Sequence, residues 1–140
     1  MRRQRTYRYR CYPTVAQEVS LARTFGCARF VYNWGLRQRT DAYHDRHERL
    51  GYVELPAQLT LLKQQPDTAW LAEVSSVPLQ QALRHLDRAF RNFFERRAKY
   101  PAFKRKRGKQ AATFASSAFT WNSETCTLTL AKMEAPLRIR

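Results

Sequence analysis

SSVPLQQALRHLDRAFRNFF, residues 75–94, is the stretch on which the fold turns. Ser75-Ser76 offers an N-cap and Pro78 sits just inside the first turn, where its missing N–H costs nothing. Leu79, Ala82, Leu83, Leu86, Phe90, Phe93 and Phe94 then recur at helical spacing, which predicts one continuous apolar seam facing a core. Arg84, Arg88 and Arg91 lie mostly off that seam. Their single sign suits a surface that meets phosphate.

Upstream, PAQLTLLKQ at 56–64 predicts a short helix with Pro56 in its first turn, and a loop with Pro66 and Trp70 joins it to the long one. Thr14-Val-Ala-Gln17 has the form of a capping box. Val15, Val19, Ala22 and Phe25 predict one helical stripe that Gly26 breaks. A second helix is expected from about Cys27 to Leu50, with Gly51 as its stop. Two helices meeting at Gly26 have the outline of a helix-turn-helix over 15–50, a pattern that ordinary helix packing also produces. Arg37 and Arg39 are the side chains such a pair would offer to DNA.

At the N-terminus, RQRTYRYRCY alternates with a period of two, which predicts a strand over 3–12. Thr6, Arg8, Arg10 and Tyr12 share one face; Arg5, Tyr7, Tyr9 and Cys11 share the other. Pro13 ends the run. After residue 100 the composition turns to β, with AATFASSAFTW, CTLTLAK and LRIR, and Asn122–Thr125 would join the first two as a hairpin. The lone first strand most simply pairs with the late ones. The fold class is therefore α+β, with about four helices inserted into an incomplete antiparallel sheet or barrel. The segments are 1–13 for the first strand, 14–100 for the helical lobe, and 101–140 for a basic linker and the remaining strands. LRIR ends in mid-strand, so more chain is expected to complete the sheet.

Between helix and strands lies YPAFKRKRGKQ, 100–110, where Lys104, Arg105, Lys106, Arg107 and Lys109 place five cations within six residues. Pro101 keeps the chain extended, and Tyr100 and Phe103 can either anchor in protein or stack on a base. The formal net charge of the 140 residues is +15, and 20 of the 26 cations are arginine. Such a chain repels itself unless a polyanion neutralises it, and arginine's planar fork suits phosphate. A nucleic acid is thus the expected partner. No run of eighteen apolar residues is present, and no basic amphipathic helix suggests a membrane surface.

Catalytic patterns are lacking. The 11 carboxylates are scattered, whereas two-metal phosphodiester hydrolysis needs several converging. Asp41, Asp45 and Glu48 sit among Arg46 and Arg49, where ion pairing accounts for them. His44 and His47 could share a metal but lack a third ligand, and His85 is read as part of the arginine face. The cysteines at 11, 27 and 126 form no C-x-x-C pair and are expected to be buried thiols in a reducing cytoplasm. No cofactor and no metal are expected in this chain.

CARFVYNWGL at 27–36, LTLLKQ at 59–64, WLAEV at 70–74, the 75–94 helix and YPAFKRKR together resemble the N-terminal part of the OrfB-type insertion-sequence proteins, the TnpB family. The resemblance runs in order along essentially all 140 residues. It implies an RNA-guided DNA endonuclease, a transposon-encoded relative of compact type V CRISPR effectors. It implies a WED-type barrel interrupted by a recognition lobe, holding guide RNA and target DNA. It also implies that the RuvC-like nuclease domain with its Mg2+ and a zinc finger with its Zn2+ lie beyond this stretch, so this portion would not be an enzyme. Carried over, reading of target-adjacent DNA falls near Tyr52, Ser76 and Gln80, with the Ala115–Ser116 loop on the barrel side. Gln80 could pair bidentately with adenine, while Ser76 departs from the longer cationic residue of some relatives. The competing expectation is an autonomous helix-turn-helix repressor of a mobile element.

Overall fold

The computed structural model describes residues 2–140; Met1, counted above in the first segment, lies outside them. The Thr14 capping box is formed. Thr14 Oγ1 accepts from the Gln17 N–H at 3.3 Å, and Gln17 Oε1 accepts from the Thr14 N–H at 2.9 Å. From there α1 runs unbroken over Val15–Arg46. The expected break at Gly26 is absent. One glycine costs a helix interior only about 1 kcal/mol, less than the packing of Cys27, Val31 and Leu36 just beyond it stabilises. The stop is His47, which donates its N–H to the Tyr43 carbonyl and whose left-handed conformation (φ 52°) turns the Glu48 N–H onto the Ala42 carbonyl at 3.0 Å. Gly51 instead precedes α2 (Leu55–Gln64), donating its N–H to Glu54 Oε2 at 2.8 Å. The helix pair separated by a turn is therefore α1 and α2, across 47–54.

The apolar stripe expected on the first helix also faces the wrong way. Val15, Val19 and Ala22 are exposed, and the inward positions are Gln17, Thr24, Cys27, Ala28, Val31, Tyr32, Gly35 and Leu36. The first turns of α1 project past the helical core towards the sheet, so their buried side chains are polar and find carbonyl partners. Gln17 Nε2 donates to Ala135 O and Pro136 O at 3.1 and 3.0 Å.

A 3-10 stretch, Pro66–Glu73, leads into α3 (Ser76–Phe94), where Ser75 Oγ accepts from the Val77 N–H at 3.3 Å. The seam of α3 is as expected through Leu79, Ala82, Leu83, Leu86 and Phe90. It ends there: Phe93 is half-buried and Phe94 is 64% exposed, and both line an open cavity with Tyr43 and His44 of α1. The two helices cross at Gly35, where an added Cβ would lie 2.9 Å from Leu86 Cδ2 and 3.0 Å from Leu83 Cδ2. Leu36, Leu55, Leu71, Leu79, Leu83 and Leu86 complete the helical core.

The sheet is antiparallel in the order β1-β4-β3-β2, with β1 Cys11–Tyr12, β2 Phe119–Asn122, β3 Thr127–Leu130 and β4 Leu137–Ile139. It pairs Cys11 with Ile139, Leu128 with Leu137 and Trp121 with Leu128. The first strand thus lies beside the last, with the helices between them in sequence, and the sheet is open. The hairpin turns where expected: Asn122 Oδ1 accepts from the Glu124 and Thr125 N–H groups, and Cys126 takes φ 51°.

Two β expectations were too long. The 3–12 strand is ordered as a ladder only at 11–12, with Arg10 and Arg140 exchanging one further pair of backbone bonds. Among the described residues, those before Arg10 make no ladder with another strand. Tyr7, Tyr9 and Trp121 stack in series instead, with ring centroids 6.2 and 6.4 Å apart. The other is Ala111–Ala115, which is irregular and reaches β2 through a 3-10 turn at Ser116–Ala118. Of the thiols only Cys27 is buried; Cys11 and Cys126 are exposed near the rim of the sheet.

Candidate nucleic-acid interface

Ser76, Gln80, Arg84 and Arg88 follow one another at four-residue steps on α3, so the helix itself aligns them on one face. Gln80, Arg84 and Arg88 are exposed. The turn before α2 supplies Tyr52, half-buried against the core, whose hydroxyl accepts from Arg84 Nε at 2.8 Å. The guanidinium also lies 5.3 Å from the Tyr52 ring centroid. Arg84 is thus held in one pose with its remaining N–H groups free to donate.

Arg91 and Arg39 meet differently. Both reach Asp87, at 3.0 and 3.3 Å, and Arg39 also stacks 3.9 Å above the Phe90 ring. Burial pushes the Arg39 guanidinium down from its ordinary value while Asp87 opposes that shift. Arg39, expected to face DNA, is therefore a tie between α1 and α3. Arg37 is exposed.

The basic stretch is seated on the helices rather than hanging from them. Asn33 of α1 grips the backbone of Lys104 at two points, donating Nδ2–H to its carbonyl at 2.9 Å and accepting its N–H at 2.7 Å. Lys104 Nζ stands 4.4 Å from the Tyr32 ring centroid. Gln110 gathers the turn, donating Nε2–H to the carbonyls of Arg105, Lys106 and Gly108 while its Oε1 accepts from Arg29 Nη1. Arg105, Lys106, Arg107 and Lys109 are consequently displayed on a closed turn, all exposed. Of the two aromatic residues, Tyr100 is anchored. Its ring meets Phe90 and Phe93 edge-on and its hydroxyl lies 2.7 Å from Thr40 Oγ1. Phe103 is 57% exposed.

His85 links the two surfaces. Burial lowers its pKa from the ordinary histidine value, and nearby Lys104 and Arg88 lower it further. The basic turn and the arginine face of α3 therefore meet around one imidazole. Arg8 and Arg10, both exposed, and Ser116, at the start of its 3-10 turn, remain with the sheet. Sequence reading missed Arg29, Asn33 and Gln110. No local signal marks them, since their partners stand 71 and 81 residues away in the case of Asn33 and Arg29.

The sequence of this chain is similar to insertion-sequence proteins. The family model of the helix-turn-helix domain of OrfB proteins of the IS605 type matches residues 1–48. A Streptomyces pristinaespiralis protein named as a candidate RNA-guided DNA endonuclease is 52% identical over 137 residues, covering 97% of this chain and 34% of the relative. The Escherichia coli K12 protein InsQ, similarly named, is 35% identical over 112 residues, covering 80% of this chain and 28% of its own length. The chain thus spans about a third of the length of these curated relatives. The virulence protein VsdF of Salmonella dublin is 36% identical over 107 residues, covering 70% of this chain and 90% of VsdF.

Proposed function

The chain belongs to the OrfB (TnpB) family of insertion-sequence proteins, and on that premise we propose that it is the nucleic-acid-binding portion of an RNA-guided DNA endonuclease system. It binds guide RNA and target-adjacent DNA through the α3 arginine face and the basic turn. Binding does not require cleavage, and we assign none to this chain. The observation that carries the reading is that His85 of α3 lines one recess with Lys104 and Lys109 of the basic turn, one turn from Arg88 on the same helix, which brings two separately encoded cationic surfaces together.

The shape of that surface supports backbone tracking. Exposed guanidinium and ammonium groups neutralise phosphates without reading sequence. Gln80, one turn from both Ser76 and Arg84, is the group on this face whose amide can specify a base edge. Tyr52 serves by holding Arg84. The lobe and the open sheet would then correspond to the recognition and WED-like parts of the longer relatives.

The resemblance assigns the magnesium and zinc donors to the nuclease domain and zinc finger, not to this stretch. Asp87 lies between Arg39 and Arg91, Glu48 is on Arg46 and Glu95 is on Arg97. Cys27 is buried in the lobe, while Cys11 and Cys126 flank Ile139 from opposite sides in the sheet. These three carboxylates are engaged by guanidinium groups, and these thiols stand apart from one another.

Fluorescence anisotropy with a labelled structured RNA and a duplex DNA, across a salt series, tests the proposal. Affinity is expected to fall linearly on log–log axes. Replacing Arg84, Arg88 or Lys106 by Gln should reduce the slope by about 1 for each phosphate that is no longer neutralised. Absence of binding at low salt, or magnesium-dependent cleavage by this chain alone, would overturn it.

A further inference from the structure

Under the basic turn lies a small recess between α1, α3 and the loop, with a volume of about 40 Å³. Arg29 of α1, His85 of α3, and Lys104, Lys109 and Gln110 of the loop line it, together with apolar groups including Phe25 and Ala82. No carboxylate is among the lining residues, and among the described residues Arg29, Lys104 and Lys109 form no ion pair. Three cations and a titratable imidazole from three parts of the chain thus surround a space without an anion. We propose that this recess is a built receptor for a single phosphate group, inserted oxygen-first, that sets the register of a bound polynucleotide.

The recess has room for water-sized groups, so the oxygens of a phosphate can enter it. The lining cations supply the charge-assisted donors an oxyanion needs. Part of the lining is preorganised: Asn33 fixes the Lys104 backbone, and Gln110 fixes the turn while it holds the Arg29 side chain. A receptor whose side chains are already held loses less freedom when it binds.

His85 is the reporter. It faces Arg29 across the recess from α1, Lys104 and Lys109 from the loop, and Arg88 from its own helix. Burial, and then the charges of Lys104 and Arg88, lower its pKa in the free protein. A bound phosphate reverses the local field, so the imidazole takes up a proton as the ligand arrives. Affinity therefore rises as pH falls, by about tenfold for each unit by which binding raises the His85 pKa.

The inference rests on the nucleic-acid reading for the source of its phosphate, and the two can be separated. The test follows the C2–H resonances of His44, His47 and His85 through a pH titration of the whole chain. The titration is run free, with sodium sulfate, and with a short RNA. With RNA, the His85 pKa is expected to move up from its lowered value in the free protein. His85→Gln should abolish the pH dependence of affinity, and Lys109→Met should reduce both affinity and the His85 shift. Chemical-shift dispersion confirms that each variant is folded. If RNA binds and His85 does not respond, the receptor is wrong and the general reading stands. If RNA fails to bind but sulfate moves His85, the receptor stands as a plain anion site and the nucleic-acid reading falls. If neither ligand moves it and RNA does not bind, both fall.

Discussion

His85 shows how a residue's meaning depends on its neighbours. In sequence it is one polar position among arginines. In the fold it is partly buried beside Lys104 and Arg88, which disfavour its protonated form. The unfolded chain, with its histidine near the ordinary value of 6.5, takes up a proton first as pH falls. The contribution of His85 to stability is therefore intact above that value and is lost as pH drops from it towards the lowered folded value. Urea unfolding of the free protein between pH 7.5 and 5 should show midpoints that fall with pH, and His85→Gln should flatten part of that fall. A midpoint that rises towards acid in the wild type alone would contradict the placement of Lys104 and Arg88 around the ring.

The two glycines of α1 carry the prediction at the scale of the element. Gly26 has no neighbouring atom within 4 Å of an added Cβ and lies in an unbroken helix, so Gly26→Ala should stabilise by about 1 kcal/mol. A true turn there would make the same change neutral or harmful, so this substitution tests the continuity of the helix directly. Gly35 is the opposite case. Its Cβ would press on Leu83 and Leu86, both fully buried and without room to withdraw. Gly35→Val should cost about 1–3 kcal/mol through overpacking, read from chemical denaturation. The different roles of these glycines come from what crosses them, which local propensity does not contain.

At the scale of the whole molecule, helical lobe and sheet are tied by few bonds. Gln17 joins the start of α1 to the carbonyls of Ala135 and Pro136, and Lys132 Nζ donates to Ala72 O at 2.8 Å from the far side of the same β3–β4 connection. Replacing both by apolar residues of similar length, Gln17→Leu with Lys132→Met, should destabilise by about 1–3 kcal/mol through removal of these side-chain hydrogen bonds. It should also separate the loss of sheet structure from the loss of helix in thermal circular dichroism. A single coincident transition in the double variant would show that other packing couples the two parts.

Legibility followed range. The α3 seam, the Thr14 capping box, the α2 start at Pro56 and the Asn122 hairpin rest on interactions within a few residues, and each was readable. The Gly26 break, the Val15–Val19 stripe and the full 3–12 strand failed because each depended on a partner distant in sequence. The site divides in the same way. The excess of cations and their positions were plain, but not that Arg39 is spent on Asp87 and Phe90, nor that Asn33 and Gln110 shape the turn.

By itself the sequence determined the α+β class, the family, and a positive charge that demands a polyanion, because periodicity and net charge are sums over local choices. Only the tertiary structure decided which cations remain available and which are neutralised inside. It alone gathered Arg29, His85, Lys104 and Lys109 around one recess. That gathering arises from the packing of α1 on α3 and from two amide side chains bridging long stretches of chain, relations that exist only once the chain has folded.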